Sequence, residues 1–254
     1  AWRAYLLILF NQKELYSILF SCVSETLLEL AKDKKYLNAD IGFTTVLHIW
    51  GQNLMNHPHI HCIVPGGGLS LDKSKWIKSK QKFFIPVKVL SRKFRGKFLY
   101  YLNKLYLDNK LVFLESVSEL SARNIFNEFK DSLYKKEWIV YSKAPFKSAA
   151  YVVQYLGRYT HRVAISDNRI IKVDNKNVVF KWRDYKDKNK EKIMTLKADE
   201  FIRRFTMHIL PDKFVKIRHY GILGNRNKKL KFKRCLEIFR VKPRDDEKLS
   251  SAEL

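Results

Sequence analysis

The chain has 254 residues, 46% of them hydrophobic and 14% aromatic, a composition that supports a packed core and excludes a disordered protein. Its 50 Lys and Arg residues against 25 Asp and Glu leave a formal net charge of +25. This charge predicts a polyanionic partner, first of all nucleic acid, with a biased genome composition as the alternative cause. Cys22, Cys62 and Cys235 form no CxxC pair, which excludes a disulfide framework and a purely thiolate zinc site and favours a reducing compartment.

The first half of the chain predicts one helix followed by a hairpin. Residues 5–10 are apolar but too few to cross a bilayer, so we expect no transmembrane helix or signal peptide. Apolar residues at helical spacing predict a helix over 15–32. β-branched and aromatic residues predict strands over 41–50 and 60–64, paired as an antiparallel hairpin with the histidines on an inner strand. An edge strand is expected within 76–86.

The second half continues this alternation of helices and strands, which is an α+β pattern. Helices are predicted over 89–104, 121–133, 148–158 and 197–208. Strands are predicted over 138–143, 162–166, 170–173 and 178–182. Beyond residue 225 the regular spacing of apolar residues is lost and charged residues predominate, so the segment 225–254 is interpreted as a basic tail.

A histidine motif predicts a metal site. Because side chains alternate along a strand, His59 and His61 point to the same face and could bind one cation together. Mg²⁺ or Mn²⁺ would also need oxygen donors and would leave positions for phosphate oxygens. Gln52 is the predicted third ligand and His48, on the preceding strand, is its rival. A histidine pair on a strand is also common in surfaces and cores, and His57 is expected beside the site or facing the substrate.

A pair of tyrosines supplies candidate nucleophiles. Tyr155 and Tyr159 are four residues apart, so on a helix they would lie side by side, about 6 Å between Cβ atoms. A phenol has a pKa near 10, and attack on phosphorus would need a cation to polarise the phosphate. A simple aromatic stripe with Tyr151 is the alternative. The glycines at 66–68 match no phosphate-binding loop and are interpreted as a flexible turn.

Several arginines are candidate phosphate contacts in so basic a chain, although single surface arginines are more often solvated. They are Arg158, Arg162, Arg203, Arg204 and Arg218.

Four sequence blocks resemble the rolling-circle transposases of bacterial insertion sequences, the insertion-sequence ninety-one family with paired tyrosines. They are HPHIHCIVPGGGL at 57–69, QYLGRYTHRVAIS at 154–166, FIRR at 201–204 and KIRHYGIL at 216–223. Members of that family are HUH endonucleases, whose core is a central antiparallel sheet flanked by helices. By this resemblance His59-Ile60-His61 is the HUH triplet, Tyr155 and Tyr159 are the nucleophiles, and residues 1–224 form the endonuclease domain.

The resemblance implies cleavage of single-stranded DNA at transposon ends and targets, dependent on Mg²⁺ or Mn²⁺. A tyrosine would attack a phosphate, form a 5'-phosphotyrosine and free a 3'-hydroxyl, and the reverse reaction would join strands without ATP. The order in which the tyrosines act stays open. The family's cysteine-rich zinc segment is absent before residue 1, which suggests truncation. The expected location is the bacterial cytoplasm at the nucleoid, with no membrane and a possible oligomer. The alternatives are an inactive relative that only binds nucleic acid, or a replication initiator or relaxase.

Overall fold

The computed structural model describes residues 2–79, 85–146, 148–160, 164–185 and 187–241. The α-helices are α1 (Trp2–Phe10), α2 (Gln12–Lys32), α3 (Val87–Leu107), α4 (Arg123–Tyr134), α5 (Ala149–Thr160), α6 (Ala198–Thr206), α7 (Asn225–Asn227) and α8 (Lys233–Phe239). The strands are β1 (Ala39–Asp40), β2 (Gly42–Trp50), β3 (Asn56–Ile63), β4 (Gly67–Ser70), β5 (Trp76–Lys78), β6 (Ile170–Val173), β7 (Asn177–Asp184), β8 (Lys190–Lys197) and β9 (Ile217–Gly221). Two 3₁₀ helices, Glu115–Ser121 and Asp167–Arg169, and a π-helix, Lys228–Phe232, complete the regular structure of these residues.

The α+β class is confirmed, with antiparallel strand pairing throughout the described sheets. The strands form three three-stranded sheets, in the orders β1-β4-β5, β3-β2-β9 and β6-β7-β8, rather than one central sheet. Ile41 alone separates β1 from β2, so one stretch of chain enters two of these sheets. The predicted edge strand is confirmed as β5, while residues 80–84 of that prediction lie outside the described ranges.

The prediction that the histidines lie on an inner strand is wrong. In the described sheet β2 is the central strand, and β3, which carries His57, His59 and His61, pairs with β2 on one side only. Pro58 gives the physical reason, because a proline has no N–H to donate to a second neighbour and is tolerated at a sheet edge.

The long helices were predicted well, but several strands were not. Helices α2 to α6 overlap the helical predictions, and β2, β3, β6 and β7 overlap the strand predictions. The predicted strand at 138–143 is wrong, since these residues have no strand pairing. Of the predicted strand at 162–166, residues 162 and 163 lie outside the described part of the chain, and 164–166 form no strand. Strands β1, β4, β8 and β9 and helix α1 were missed.

A buried asparagine lies at the bend between α1 and α2. The Asn11 side chain donates to the carbonyls of Leu7 and Val112, both at 2.9 Å, and accepts from the Val112 N–H at 2.7 Å. These bonds satisfy its amide in a site where Asn11 is 1% exposed. Among the described residues no single helix is long and apolar enough to cross a membrane, and α1 and α2 reach that length only together, across a bend of 104°.

The glycines at 66–68 do not form the predicted flexible turn, because Gly67 and Gly68 begin the buried strand β4. An added Cβ at Gly68 would lie 2.5 Å from the Asp40 carbonyl oxygen of the neighbouring strand. At Gly67 it would meet the Trp76 ring on the other side, at 2.5 Å from Nε1. Glycine is therefore required here for close packing of strands rather than for flexibility.

Part of the segment interpreted as a basic tail is helical and contacts the sheets. Lys231 forms an ion pair with Asp40 at 2.6 Å, and Cys235 is buried against Leu69 and Ile222. The described residues 225–239 therefore pack on the β1-β4-β5 sheet. The division at residues 224 and 225 stays a prediction.

Candidate metal centre and tyrosine

The strand register brings three imidazoles together. His48 on β2 lies directly opposite His59 on β3, and directly opposed residues of an antiparallel pair share a face. His61 lies two residues beyond His59 and therefore projects to the same side. His48, His59 and His61 form a trio in which one ligand nitrogen from each lies within 4.8 Å of the others.

The ring nitrogens of the trio face one another. His48 Nδ1 lies 3.3 Å from His59 Nε2, which lies 3.1 Å from His61 Nε2. His59 Nδ1 lies 2.6 Å from the carbonyl oxygen of His57, and since a carbonyl can only accept, Nδ1 carries the proton. Neutral His59 therefore presents the lone pair of Nε2 to its neighbours, the orientation that metal-binding histidines adopt.

The surroundings of His59 and His61 favour their neutral forms. Burial is the main cause that lowers the pKa of His59 below its usual value. Burial, then the nearby charges of His59 and Lys143, lowers the pKa of His61 to about 4. Neutral imidazole is the form that binds cations, so His59 and His61 are in the cation-binding form near neutral pH.

Tyr155 lies next to this trio. Its hydroxyl oxygen is 2.9 Å from His61 Nδ1, on the side of the ring opposite the nitrogen that faces His59. The Phe146 ring also packs on Tyr155, with the two ring centroids 5.2 Å apart. Tyr159 lies one turn further along α5, but its side chain lies outside what the structure describes. The structure thus brings one of the two predicted tyrosines to the predicted histidines.

Of the two candidate third ligands, His48 is the one that the register places in the trio. Gln52 lies in the turn after β2, where its backbone carbonyl accepts from Arg169 at 2.5 Å. The two following carbonyls are also capped, that of Asn53 by Arg204 at 3.1 Å and that of Leu54 by His208 at 3.0 Å. Three side chains from distant parts of the chain therefore hold the turn that connects the two histidine-bearing strands.

Three of the five predicted DNA-contacting arginines have described side chains, and each of these contacts a partner within the protein. Arg203 and Arg204 both pair with Glu200, at 2.6 Å and 2.7 Å, and lower its pKa to about 2. The Arg218 guanidinium stacks over the Phe20 ring at 4.1 Å. Arg162 and the side chain of Arg158 lie outside the described part of the structure. The pairs with Glu200 are local, at helical spacings of three and four residues, whereas the contact between Arg218 and Phe20 joins residues far apart in the chain and has no sequence signal.

Lys143 is a residue near the site that the sequence analysis passed over. Its charge contributes to the lowered pKa of His61, although the two residues are 82 positions apart in the chain. Its Nζ lies over the Tyr141 ring, 5.9 Å from the centroid. In the sequence, Lys143 is one of 50 basic residues and has no pattern that would distinguish it.

Sequence comparison assigns the chain to a family. A family model described as "Putative transposase" matches residues 42–231, which include the trio, Tyr155 and all of α5. The chain belongs to this family of transposases.

Two curated relatives agree with this assignment. The chain is 48% identical over 228 residues to "Putative transposase y4qJ" of Sinorhizobium fredii, covering 90% of this chain and 57% of that protein. It is 24% identical over 218 residues to "Transposase for insertion sequence element IS801" of Pseudomonas savastanoi pv. phaseolicola, covering 85% of this chain and 51% of that protein. The chain thus spans about half the length of these relatives. No solved structure matches it significantly.

Proposed function

We propose that this chain is the nuclease core of a rolling-circle transposase, which cuts and rejoins single-stranded DNA through a phosphotyrosine. The observation that carries the proposal is the contact between Tyr155 and His61, 2.9 Å, at the edge of the histidine trio. A phenol beside a candidate cation site is the pairing that tyrosine attack on a phosphodiester needs. The +25 charge suits a nucleic acid substrate.

The donor atoms fit a divalent transition ion. The trio offers three imidazole nitrogens, whereas Mg²⁺ prefers oxygen ligands, so Mn²⁺ suits these residues better than Mg²⁺. His48, His59 and His61 would hold the ion. When bound, it would polarise the scissile phosphate as a Lewis acid and orient it.

The protein's own groups would position and activate the nucleophile. With its proton on Nδ1, His61 would donate a hydrogen bond to the Tyr155 oxygen and so favour the phenolate. The phenol releases its proton to water, the phenolic oxygen forms a bond to phosphorus, the bond from phosphorus to the 3' oxygen breaks, and that oxygen takes up a proton from water as a 3'-hydroxyl. We assign the first attack to Tyr155, and Tyr159 would receive the second DNA end.

The test is formation of a covalent adduct. We expect the protein, incubated with Mn²⁺ and a single-stranded oligonucleotide from the end of its element, to form an adduct that survives boiling in detergent. Tyr155→Phe should abolish the first adduct. Tyr151→Phe is the matched control, because Tyr151 lies one turn earlier on α5 and is 54% exposed.

Two outcomes would contradict the proposal. An adduct that persists when both Tyr155 and Tyr159 are changed to Phe would exclude the tyrosine nucleophiles. DNA binding with no adduct under any divalent cation would favour a protein that binds nucleic acid without cutting it.

A further inference from the structure

The segment 137–146 follows α4 and extends to Tyr155 without forming a helix or strand. Trp138 holds its beginning, with its ring centroid 5.1 Å from that of Phe98 and its Nε1 donating to the Leu133 carbonyl at 3.1 Å. Phe146 holds its other end against Tyr155, with centroids 5.2 Å apart. The segment is thus fixed at both ends, and one end touches the proposed nucleophile.

Between these two fixed points the segment exposes an aromatic ring and a cation. Tyr141 is 80% exposed. The Lys143 ammonium lies 5.9 Å from the centre of that ring. In the described part of the chain, no carboxylate forms an ion pair with Lys143. An exposed ring beside a cation with no acidic partner is the combination that binds a base and its phosphate.

We propose that Tyr141 and Lys143 form a nucleotide subsite next to the cleavage site, in which the ring stacks on one base and the ammonium pairs with a phosphate. The subsite rests on the proposed function, since it would hold the strand that Tyr155 attacks. The position of Phe146 supports this placement, because it follows Lys143 by three residues and packs on Tyr155 with ring centroids 5.2 Å apart.

The test separates stacking from charge and uses binding without chemistry. The probe is an oligothymidylate of about eight nucleotides, within the usual site size for single strands, with EDTA present so that no cleavage occurs. Affinity is measured by fluorescence anisotropy over a range of salt concentrations. Tyr141→Ala should weaken binding by about 5- to 150-fold, the effect of losing one stacked base. An abasic probe should reduce this difference.

Lys143→Ala should instead lower the salt dependence, changing the slope of log K against log salt by about 0.7. Lys143→Arg should restore most of that slope. Tyr134→Ala is the matched control, because Tyr134 is also exposed and also lies under a cation, Arg95, 4.4 Å from its ring centre. Its binding should equal that of the unaltered protein.

The subsite is overturned if Tyr141→Ala and Lys143→Ala bind as tightly as Tyr134→Ala, or if the Tyr141 effect is unchanged on the abasic probe. These results do not depend on the nuclease proposal. A protein that forms no adduct but loses affinity on both substitutions would keep the subsite and lose the proposed reaction. If the protein forms the adduct while both variants bind normally, the proposed reaction stands and the subsite is rejected.

Discussion

At the scale of single residues, His48 shows how a binding group can be contributed by a neighbouring strand. It is separated from His59 by eleven positions in the sequence, yet the β2 and β3 register places the two directly opposite each other. Gln52 is closer to His59 in the sequence but lies in the turn, where Arg169 contacts its backbone. The pairing of strands, not distance along the chain, decides which residue joins the trio.

We predict that His48→Ala lowers the affinity for Mn²⁺ by at least about tenfold, because it removes one of three nitrogen donors, and even supporting groups around a metal have effects of this size. Gln52→Ala should bind Mn²⁺ like the unaltered protein, since alanine keeps the backbone carbonyl that Arg169 contacts. Isothermal titration calorimetry measures both. Loss of affinity in Gln52→Ala alone would restore Gln52 as the third ligand.

The sequence predicts which residues pair within β3 and within α5, but not the contact between Tyr155 and His61. The period of two along a strand makes His59 and His61 partners, and the period of a helix makes Tyr155 and Tyr159 neighbours. Local sequence patterns do not predict how α5 packs against β3, because His61 and Tyr155 are 94 positions apart in the chain. That approach depends on the packing of the whole chain.

At the scale of elements, β4 shows why glycines can be misinterpreted as turns. A run of three glycines is typical of a loop, but Gly67 and Gly68 allow β4 to approach β1 and β5 closely. Strand β8 was missed for a related reason. Its sequence KEKIMTLK is rich in charge, and only Lys192, Met194 and Leu196 turn toward the partly buried face. Sequence pattern thus predicts elements with a wide apolar face better than short or charged strands.

We predict that Gly68→Ala lowers the free energy of unfolding by about 1–3 kcal/mol, the usual cost of overpacking, since its Cβ would lie 2.5 Å from the Asp40 carbonyl. Gly66→Ala is the control, because an added Cβ there meets nothing within 4 Å. Urea unfolding followed by circular dichroism compares the two. Equal stability of both variants would mean that β4 does not pack as closely as described.

At the scale of the whole molecule, the positive charge has two competing explanations. Some cations are used internally, as in the pairs of Lys231 with Asp40 and of Lys97 with Glu25. Lys and Arg nevertheless outnumber the acidic residues by two to one, so at least half of the positive charge has no acidic residue to balance it. The excess therefore serves a polyanion or reflects the composition of the genome.

Salt dependence distinguishes these explanations. We predict that binding of single-stranded DNA weakens linearly on a plot of log K against log salt, with a slope of several times about −0.7, one increment for each phosphate contacted. The slope should be the same with EDTA, because this binding needs no cation at the trio. An oligonucleotide with uncharged methylphosphonate links serves as the control. Binding that does not change with salt concentration would favour genome composition as the cause of the positive charge.

The turn between β2 and β3 also limits how this protein can be recombined with its relatives. Its three consecutive capped carbonyls belong to residues 52–54, while their donors Arg169, Arg204 and His208 come from a separate part of the chain. Because the acceptors are backbone carbonyls, the hairpin of any relative would supply them, whereas the donors depend on side chains. A chimera should therefore keep this turn in place only if its segment 164–208 carries suitable donors at positions 169, 204 and 208.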